Sequence, residues 1–363
     1  MVSAREAFLF LSLLQAAAGS SFTSRMDGMP PESVLELPPE EFCERAGLRG
    51  GARRIYRRLR ESYDPEELLA RLARSGVRAD TLADAAYPGR LRQIPDPPPA
   101  LFRLGREFPE ERSAVAVVGS RKATAGGREI ARELGRGLGE RGVCVVSGLA
   151  LGIDAAAHAG ALEAGGSTAG VLGCGVDVIY PRQNARLFRG VREAGCIISE
   201  YPPGEAPLPW RFPARNRIIS GLAEVVVVVE AAEKSGALIT ARHALEQGRD
   251  VFAVPGPVRA PECRGSNRLL ADGAGVIWDV REFLELVAPG GEPERGDGPL
   301  SGELPAVEAA VLREVGWEPT PVDEIATRGG FGMEELLPAL SMLEVKGYVV
   351  RSPGNAYVRV RVE

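Results

Sequence analysis

Five short loops of this sequence carry residue types that bind an anionic ligand. In the first, an apolar run ends at Gly119-Ser120, followed by Arg121 and Lys122. Small residues there let backbone amides approach an anion, a following helix adds its positive end, and two full charges stand at the same spot. The second loop, Ser147-Gly148 to Asp154, leads into a helix with His158, so Asp154 and His158 are four apart and share a face. They read either as an acid/base pair or as loop-structuring groups, in which Asp154 caps the helix and, with Gly148 and His158, shapes the turn; these residue types at a helix start favour the second. The third loop sets Arg182, Gln183 and Asn184 ahead of Phe188. That mix suits a nucleotide, with phosphate at Arg182, a base edge at Gln183 or Asn184 and stacking on Phe188, although Phe188 reads equally well as core. In the fourth, Arg215-Asn216-Arg217 stands at an expected helix start, and in the fifth Ser235-Gly236 precedes another helix. So many anion-friendly turns exceed the needs of one mononucleotide and point to an extended polyanion.

Several chemistries lack their residues. The first loop has neither the G-x-G-x-x-G spacing nor an acidic residue at the end of the next run, as a dinucleotide site needs, nor the G-K-[ST] of a P-loop. No Ser–His–Asp or Cys–His order with supporting loops occurs, and no H-E-x-x-H, so no catalytic residues are assigned. Two histidines and five scattered cysteines lack metal-ligand spacing, so neither a metal nor a cofactor is expected. The cysteines read as small buried residues of a reducing compartment.

These loops need elements to carry them. From Ser113 onward, apolar runs of strand length recur at 115–118, 143–146, 168–172, 196–199, 225–229, 251–254 and 276–278, most of them followed by a helical pattern. Runs apolar at every position are strands covered on both faces, and strand–helix alternation implies a doubly wound parallel sheet in an α/β fold. Ligands of such sheets bind beyond the carboxyl ends of the strands, where all five loops fall. Residues 1–85 read as short helices, including the basic stretch 49–60, which reads as a solvated helix face. Residues 86–112 read as a proline-rich lead-in packed against the 86–285 domain. Residues 286–303 form a Gly/Pro/acidic linker, and 304–363 give three helices and two short strands, a winged-helix order. The last two helices are acidic, with Glu334, Glu335 and Glu344, a poor face for phosphates.

With 363 residues, 45% hydrophobic and 26% charged, the composition is ordinary for a globular chain. The net charge of −5 excludes a uniformly basic surface, so any nucleic-acid site is a local concentration of charge. The opening MVSAREAFLFLSLLQAAAGSSF has features of an export signal, but Glu6 directly precedes its apolar run and the reading adopted is a buried first helix. No other run has the length to span a bilayer.

The order of the motifs resembles the DNA-processing protein A (DprA/Smf) family. The resemblance rests on Val117-Val118-Gly119-Ser120-Arg121, Ser147-Gly148-Leu149-Ala150 with Gly152-Ile153-Asp154 and His158, Tyr180-Pro181 with Asn184, Ser199-Glu200-Tyr201-Pro202, Phe212-Pro213 with Arg215-Asn216-Arg217, Ser235-Gly236 with Thr240, and Pro255-Gly256. It covers at least residues 80–285. It implies an extended Rossmann-like sheet flanked by a small SAM/HhH-like helical domain and a winged-helix-like domain. It also implies a cytoplasmic homodimer that binds and protects single-stranded DNA without cutting it and helps load a RecA-type recombinase in natural transformation. Gly119, Ser120, Arg121 and Asn216 carry over as DNA-binding residues, with Arg182, Gln183 and Phe188 in a more variable loop. Ala237 departs from the family's usual serine. The alternative is a nucleotide hydrolase resembling the phosphoribohydrolases, whose P-G-G-x-G-T-x-x-E turn is broken here at Pro255-Gly256-Pro257.

Overall fold

The computed structural model describes residues 2–19, 26, 28–289, 304–352 and 354–359. Most of the expected 286–303 linker lies outside the described residues. By proximity the chain divides into two compact units, residues 1–122 with 131–292, and residues 123–130 with 293–363.

In the larger unit, five helices come first: α1 (Ala4–Ala18), α2 (Ser33–Glu36), α3 (Pro39–Arg45), α4 (Gly50–Ser62) and α5 (Pro65–Arg74). The helix expected at the start is present as α1. Glu6, out of place before an apolar run, completes a capping box: Ser3 Oγ accepts from Glu6 N at 3.3 Å while Glu6 Oε2 accepts from Ser3 N at 2.9 Å. Phe10, Leu11 and Leu14 of α1 then fill a core with Val34, Phe42 and Tyr56, while Leu9 joins a second core with Leu68 and Leu72 of α5. Half of the basic stretch of α4 is engaged locally and half is solvated: Arg53 and Arg57 pair with Glu40, and Arg60 donates to the carbonyls of Leu35 and Leu37 at 2.6 Å each, while Arg54 and Arg58 are exposed.

The sheet takes strands β1 (Arg78–Thr81), β2 (Ala100–Gly105), β3 (Ala114–Val118), β4 (Cys144–Ser147), β5 (Thr168–Val171), β6 (Cys196–Ser199), β7 (Val225–Val228), β8 (Asp250–Ala253) and β9 (Gly275–Val276). Its order is β1-β2-β6-β5-β4-β3-β7-β8-β9. All seven expected strands occur, each beginning within one residue of its apolar run, and they are mutually parallel. β1 and β2 were not expected. The lead-in, read as extended packing, holds a strand that pairs antiparallel with β6 and in turn receives β1.

Helices α6 (Gly89–Arg92), α7 (Ala125–Glu140), α8 (Ile153–Glu163), α9 (Ala185–Ala194), α10 (Arg211–Leu222), α11 (Gly236–Glu246), α12 (Arg264–Ala271) and α13 (Val280–Val287) link the strands. Alternate strand residues feed opposite cores. Cys196 and Ile198 pack with Ile218, Leu222 and Ala241 on one side, whereas Ile197 packs with Phe188, Val191 and Leu9 on the other. No helix among the described residues is long and apolar enough to cross a membrane.

The smaller unit has a winged-helix fold: α14 (Ala306–Glu314), β10 (Thr320–Pro321), α15 (Val322–Gly329), α16 (Met333–Val345), β11 (Val349–Ser352) and β12 (Ala356–Arg359), with strand order β10-β12-β11. Val311, Leu312, Ile325, Leu336, Leu340 and Leu343 form its core. β10 is too short to leave a periodic signal.

Candidate nucleic-acid interface

Strand order reverses at β3, which pairs with β4 on one side and β7 on the other. Connections leave such a point in opposite directions, so the sheet must open there at its carboxyl edge. A cleft of about 880 Å3 occupies this place. Its walls come from the loop after β3 (Gly119–Lys122), the first turns of α10 and the approach to α11 (Lys234–Ala237).

The loop after β3 is held by its neighbours. Ser120 N donates to Glu230 O at 2.7 Å, and Ser120 O accepts from Ile153 N at 3.2 Å. A Cβ at Gly119 would lie 2.6 Å from Ile153 Cγ1 and 2.9 Å from Glu230 O, so only glycine permits this approach. The Ser120 amide, already used, is therefore not among the backbone amides that the first loop can turn toward an anion. Ser120 Oγ accepts from Lys122 N at 3.1 Å. What the loop offers the cleft is charge: Arg121 and Lys122 are exposed, and the Arg121 guanidinium lies 5.2 Å from the Phe212 ring centroid. Ser235 caps α11 by accepting from Ala237 N at 3.3 Å, which places exposed Gly236 in a first helical turn that lines the cleft.

α10 begins at Arg211, four residues before the expected start at Arg215. Arg215 and Arg217 therefore lie in its second turn, two residues apart and about 200° around the axis. They part company. Arg215, 4% exposed, lines the cleft; its Nη1 donates to Gly148 O at 3.1 Å and to Val171 O, and its Nε donates to Asn216 Oδ1 at 3.2 Å, which leaves Nη2 for a ligand. Burial pulls its pKa down to about 10, opposed by the charge of Asp154. Arg217 points away from the cleft into the carboxylates of Glu200 and Asp96, and its assignment as a DNA-binding residue is corrected accordingly. Asn216 bridges Arg215 Nε to Gly236 O (Nδ2 donating at 3.1 Å), so it positions the cleft wall with both polar ends already engaged.

The third loop diverges from expectation. Phe188 is 5% exposed and belongs to the core beneath β5 and β6, with no free face for stacking. Arg182 and Gln183 are exposed in a single 3-10 turn but do not line the cleft, whereas Tyr180 does. Asn184 donates to Leu149 O at 2.9 Å and Ala150 O at 3.2 Å, fixing the second loop. Lys234, one residue before the Ser235-Gly236 turn, went unmarked in the sequence and completes the cationic set. The Tyr180–Phe212 ring pair, centroids 5.3 Å apart, was also missed.

In the second loop Gly152, not Asp154, is the N-cap of α8, because Asp154 already lies inside the helix. Asp154 instead reaches back to accept from Gly148 N at 3.1 Å, and burial raises its pKa against the opposing charge of Arg215. His158 packs at the start of that loop, where a backbone hydrogen bond with Ser147 works to raise its pKa against burial. Its Nδ1 lies 2.7 Å from Thr168 Oγ1 on β5, whose own proton goes to Val145 O at 2.7 Å. Burial holds His158 down to about 3. The unfolded chain, with an imidazole near 6.5, therefore takes up a proton between about pH 6.5 and 3 that the folded chain refuses, and stability present above pH 6.5 is lost as pH falls through this window. The loss reaches on the order of 4 kcal/mol. Asp154, raised when folded, acts in the opposite sense. Denaturant titrations of wild type and His158→Asn between pH 7 and 4 should show a flatter pH dependence for the variant. Parallel curves would exclude a neutral buried imidazole.

Comparison with known proteins agrees with this architecture. A model of the DNA recombination-mediator protein A family matches residues 78–288, and one of the DprA winged helix domain matches residues 296–355. Protein Smf of Escherichia coli is 42% identical over 76% of this chain and 75% of its own length. The DNA processing protein DprA of Bacillus subtilis is 38% identical over 69% and 83% respectively. Among solved structures, DNA processing protein A from Streptococcus pneumoniae superimposes with a TM-score of 0.66 at 35% identity, covering 78% of this chain and 97% of that one. The Helicobacter pylori protein, solved for its single-stranded DNA binding mode, gives 0.53 at 31% identity over 58% of this chain and 95% of its own. The switch-point cleft and its glycine-tight first loop fall within residues 78–288, the winged-helix unit is matched as far as residue 355, and the chain belongs to the DNA recombination-mediator protein A family.

Proposed function

We propose that the switch-point cleft binds single-stranded DNA without cutting it, and that the protein acts as a recombination mediator. One observation carries this reading. In a chain of net charge −5 whose arginines are mostly engaged with carboxylates or carbonyls, Arg121, Lys122 and Lys234 meet around one cleft and form no ion pair among the described residues. Unpaired cations gathered on a groove supply the sequence-independent, salt-dependent attraction that a phosphodiester chain needs. The single-stranded DNA binding of the Helicobacter pylori relative supports the same assignment. Family membership further leads us to read the protein as a cytoplasmic homodimer that protects incoming strands and helps load a RecA-type recombinase.

The test is a salt titration of fluorescent oligonucleotide binding, single- against double-stranded. Arg121→Ala should weaken single-strand binding by about 1–3 kcal/mol and reduce the salt slope by about one unit. Unchanged affinity in that variant would remove the cleft from consideration. Incubation with nucleoside monophosphates should release no free base, and release would favour the phosphoribohydrolase-like alternative.

A further inference from the structure

The cleft accounts for Arg121, Lys122 and Lys234 but leaves a second group of exposed cations beside it. Residues 182–194 hold four arginines, Arg182, Arg186, Arg189 and Arg192, against one acid, Glu193. All five are exposed, and the arginines form no ion pair among the described residues. Other helices of this chain pair such charges at a spacing of four: Arg136 meets Glu140 at 3.8 Å, Arg242 meets Glu246 at 3.9 Å and Arg268 meets Asp272 at 3.1 Å. Arg189 and Glu193 share that spacing and do not meet. A merely solvated helix face carries both signs, as those three do; α9 carries almost one. Phe188 and Val191 bury its other side, which turns Arg186, Arg189 and Arg192 outward across about 120° of the helix.

Position gives this stripe a direction. Tyr180 lines the cleft, and Arg182 follows two residues later in an exposed turn. Asn184, donating to Leu149 O at 2.9 Å and Ala150 O at 3.2 Å, ties the start of α9 to a loop whose Ala150 also lines the cleft. α9 then joins the carboxyl end of β5 to the start of β6, which runs parallel to it. Its arginines therefore descend from the rim of the cleft along the flank of the sheet, over about 15 Å.

We propose that a single strand leaving the cleft past Tyr180 continues down this flank, with its phosphates held by Arg186, Arg189 and Arg192 and with Arg182 as the link. The inference rests on the single-stranded DNA reading and extends it from a cleft to a path. In a chain of net charge −5, a strand leaving the cleft in any direction without such cations would cross a surface that repels it. The stripe offers charge and no base-reading group between its arginines, so it adds affinity for longer strands without a sequence preference.

The experiment uses strand length to separate path from cleft. Binding of dT5 and dT20 to the full chain is titrated against salt for wild type and for the triple variant Arg186→Gln, Arg189→Gln, Arg192→Gln. That variant should bind dT5 as wild type does and dT20 about tenfold more weakly at about 100 mM salt, with a salt slope lower by about two units, at about 0.7 per lost phosphate contact. Arg121→Ala should weaken both strands. A control triple variant, Arg45→Gln, Arg78→Gln, Arg328→Gln, removes the same charge from exposed positions on three other elements and should bind dT20 within about twofold of wild type. Unchanged dT20 binding in the α9 variant overturns the path. Equal losses on dT5 and dT20 also overturn it, because the stripe would then act on the cleft itself. An equal loss in the control reduces the effect to net charge, and a loss confined to duplex DNA assigns the stripe to another ligand; either result overturns the proposal. All of these failures leave the cleft standing. Failure of wild type to bind either strand at low salt overturns the parent reading and the path with it.

Discussion

Arg217→Ala is expected to cost about 3–5 kcal/mol of stability while leaving the affinity of the folded fraction for single-stranded DNA, and its salt slope, unchanged. Arg217 Nη1 and Nη2 hold Glu200 Oε1 and Oε2 at 2.7 and 2.8 Å, its Nε donates to Asp96 Oδ2 at 3.1 Å, and Gln15 Nε2 of α1 completes the shell of Glu200 at 2.7 Å. Burial alone works against the guanidinium charge, but the carboxylates of Glu200 and Asp96 overcome it and hold the group above the ordinary arginine value. Removing the arginine leaves Glu200 charged, buried and supported by one amide. Thermal unfolding should fall by on the order of 10 °C. Arg217→Lys should not restore it, because a point charge cannot reproduce the two-pronged contact. Replacing both partners, Arg217→Met with Glu200→Leu, should recover much of the loss. A stable Arg217→Ala protein with weakened DNA binding would return this residue to the cleft.

Gly152→Ala is expected to damage both stability and binding. Gly152 has φ 80° and ψ −123°, a conformation that costs a residue with a Cβ about 1–3 kcal/mol by itself. The added carbon would also lie 2.2 Å from Ser120 O and 2.9 Å from the Arg121 carbonyl carbon. Main-chain atoms cannot rotate away, so the first loop must shift, and the Arg121 side chain shifts with it. Affinity for single strands should fall at least as far as in Arg121→Ala. Gly165→Ala is the control: its φ is also positive, at 66°, but nothing lies within 4 Å of the new carbon, so stability should drop with binding intact. Equal binding losses in the two variants would mean that general destabilisation, not loop displacement, is responsible.

The sequence by itself determined the parallel sheet, the strand ends that carry the loops and the winged-helix order. Burial on two faces writes itself into continuous runs such as Val225–Val228, and helix–strand alternation leaves few topologies to choose from. It also marked Arg121, Lys122 and Ser235-Gly236, because residues at the carboxyl edge of a switch point have nowhere else to go. What it could not decide was side-chain direction within those loops. A start misplaced by four residues on α10 was enough to put Arg217 beside Arg215, when the helix turns them to opposite sides. Phe188 followed the same rule: a helical aromatic faces core or solvent according to a phase that only packing sets. Tertiary structure alone brought Gln15, Asp96, Glu200 and Arg217 together, and set Tyr180 against Phe212 at the mouth of the cleft. Local patterns record how much of each residue is hidden from water, whereas partners drawn from distant parts of the chain are chosen by the crossing of strands and helices, which no short window contains.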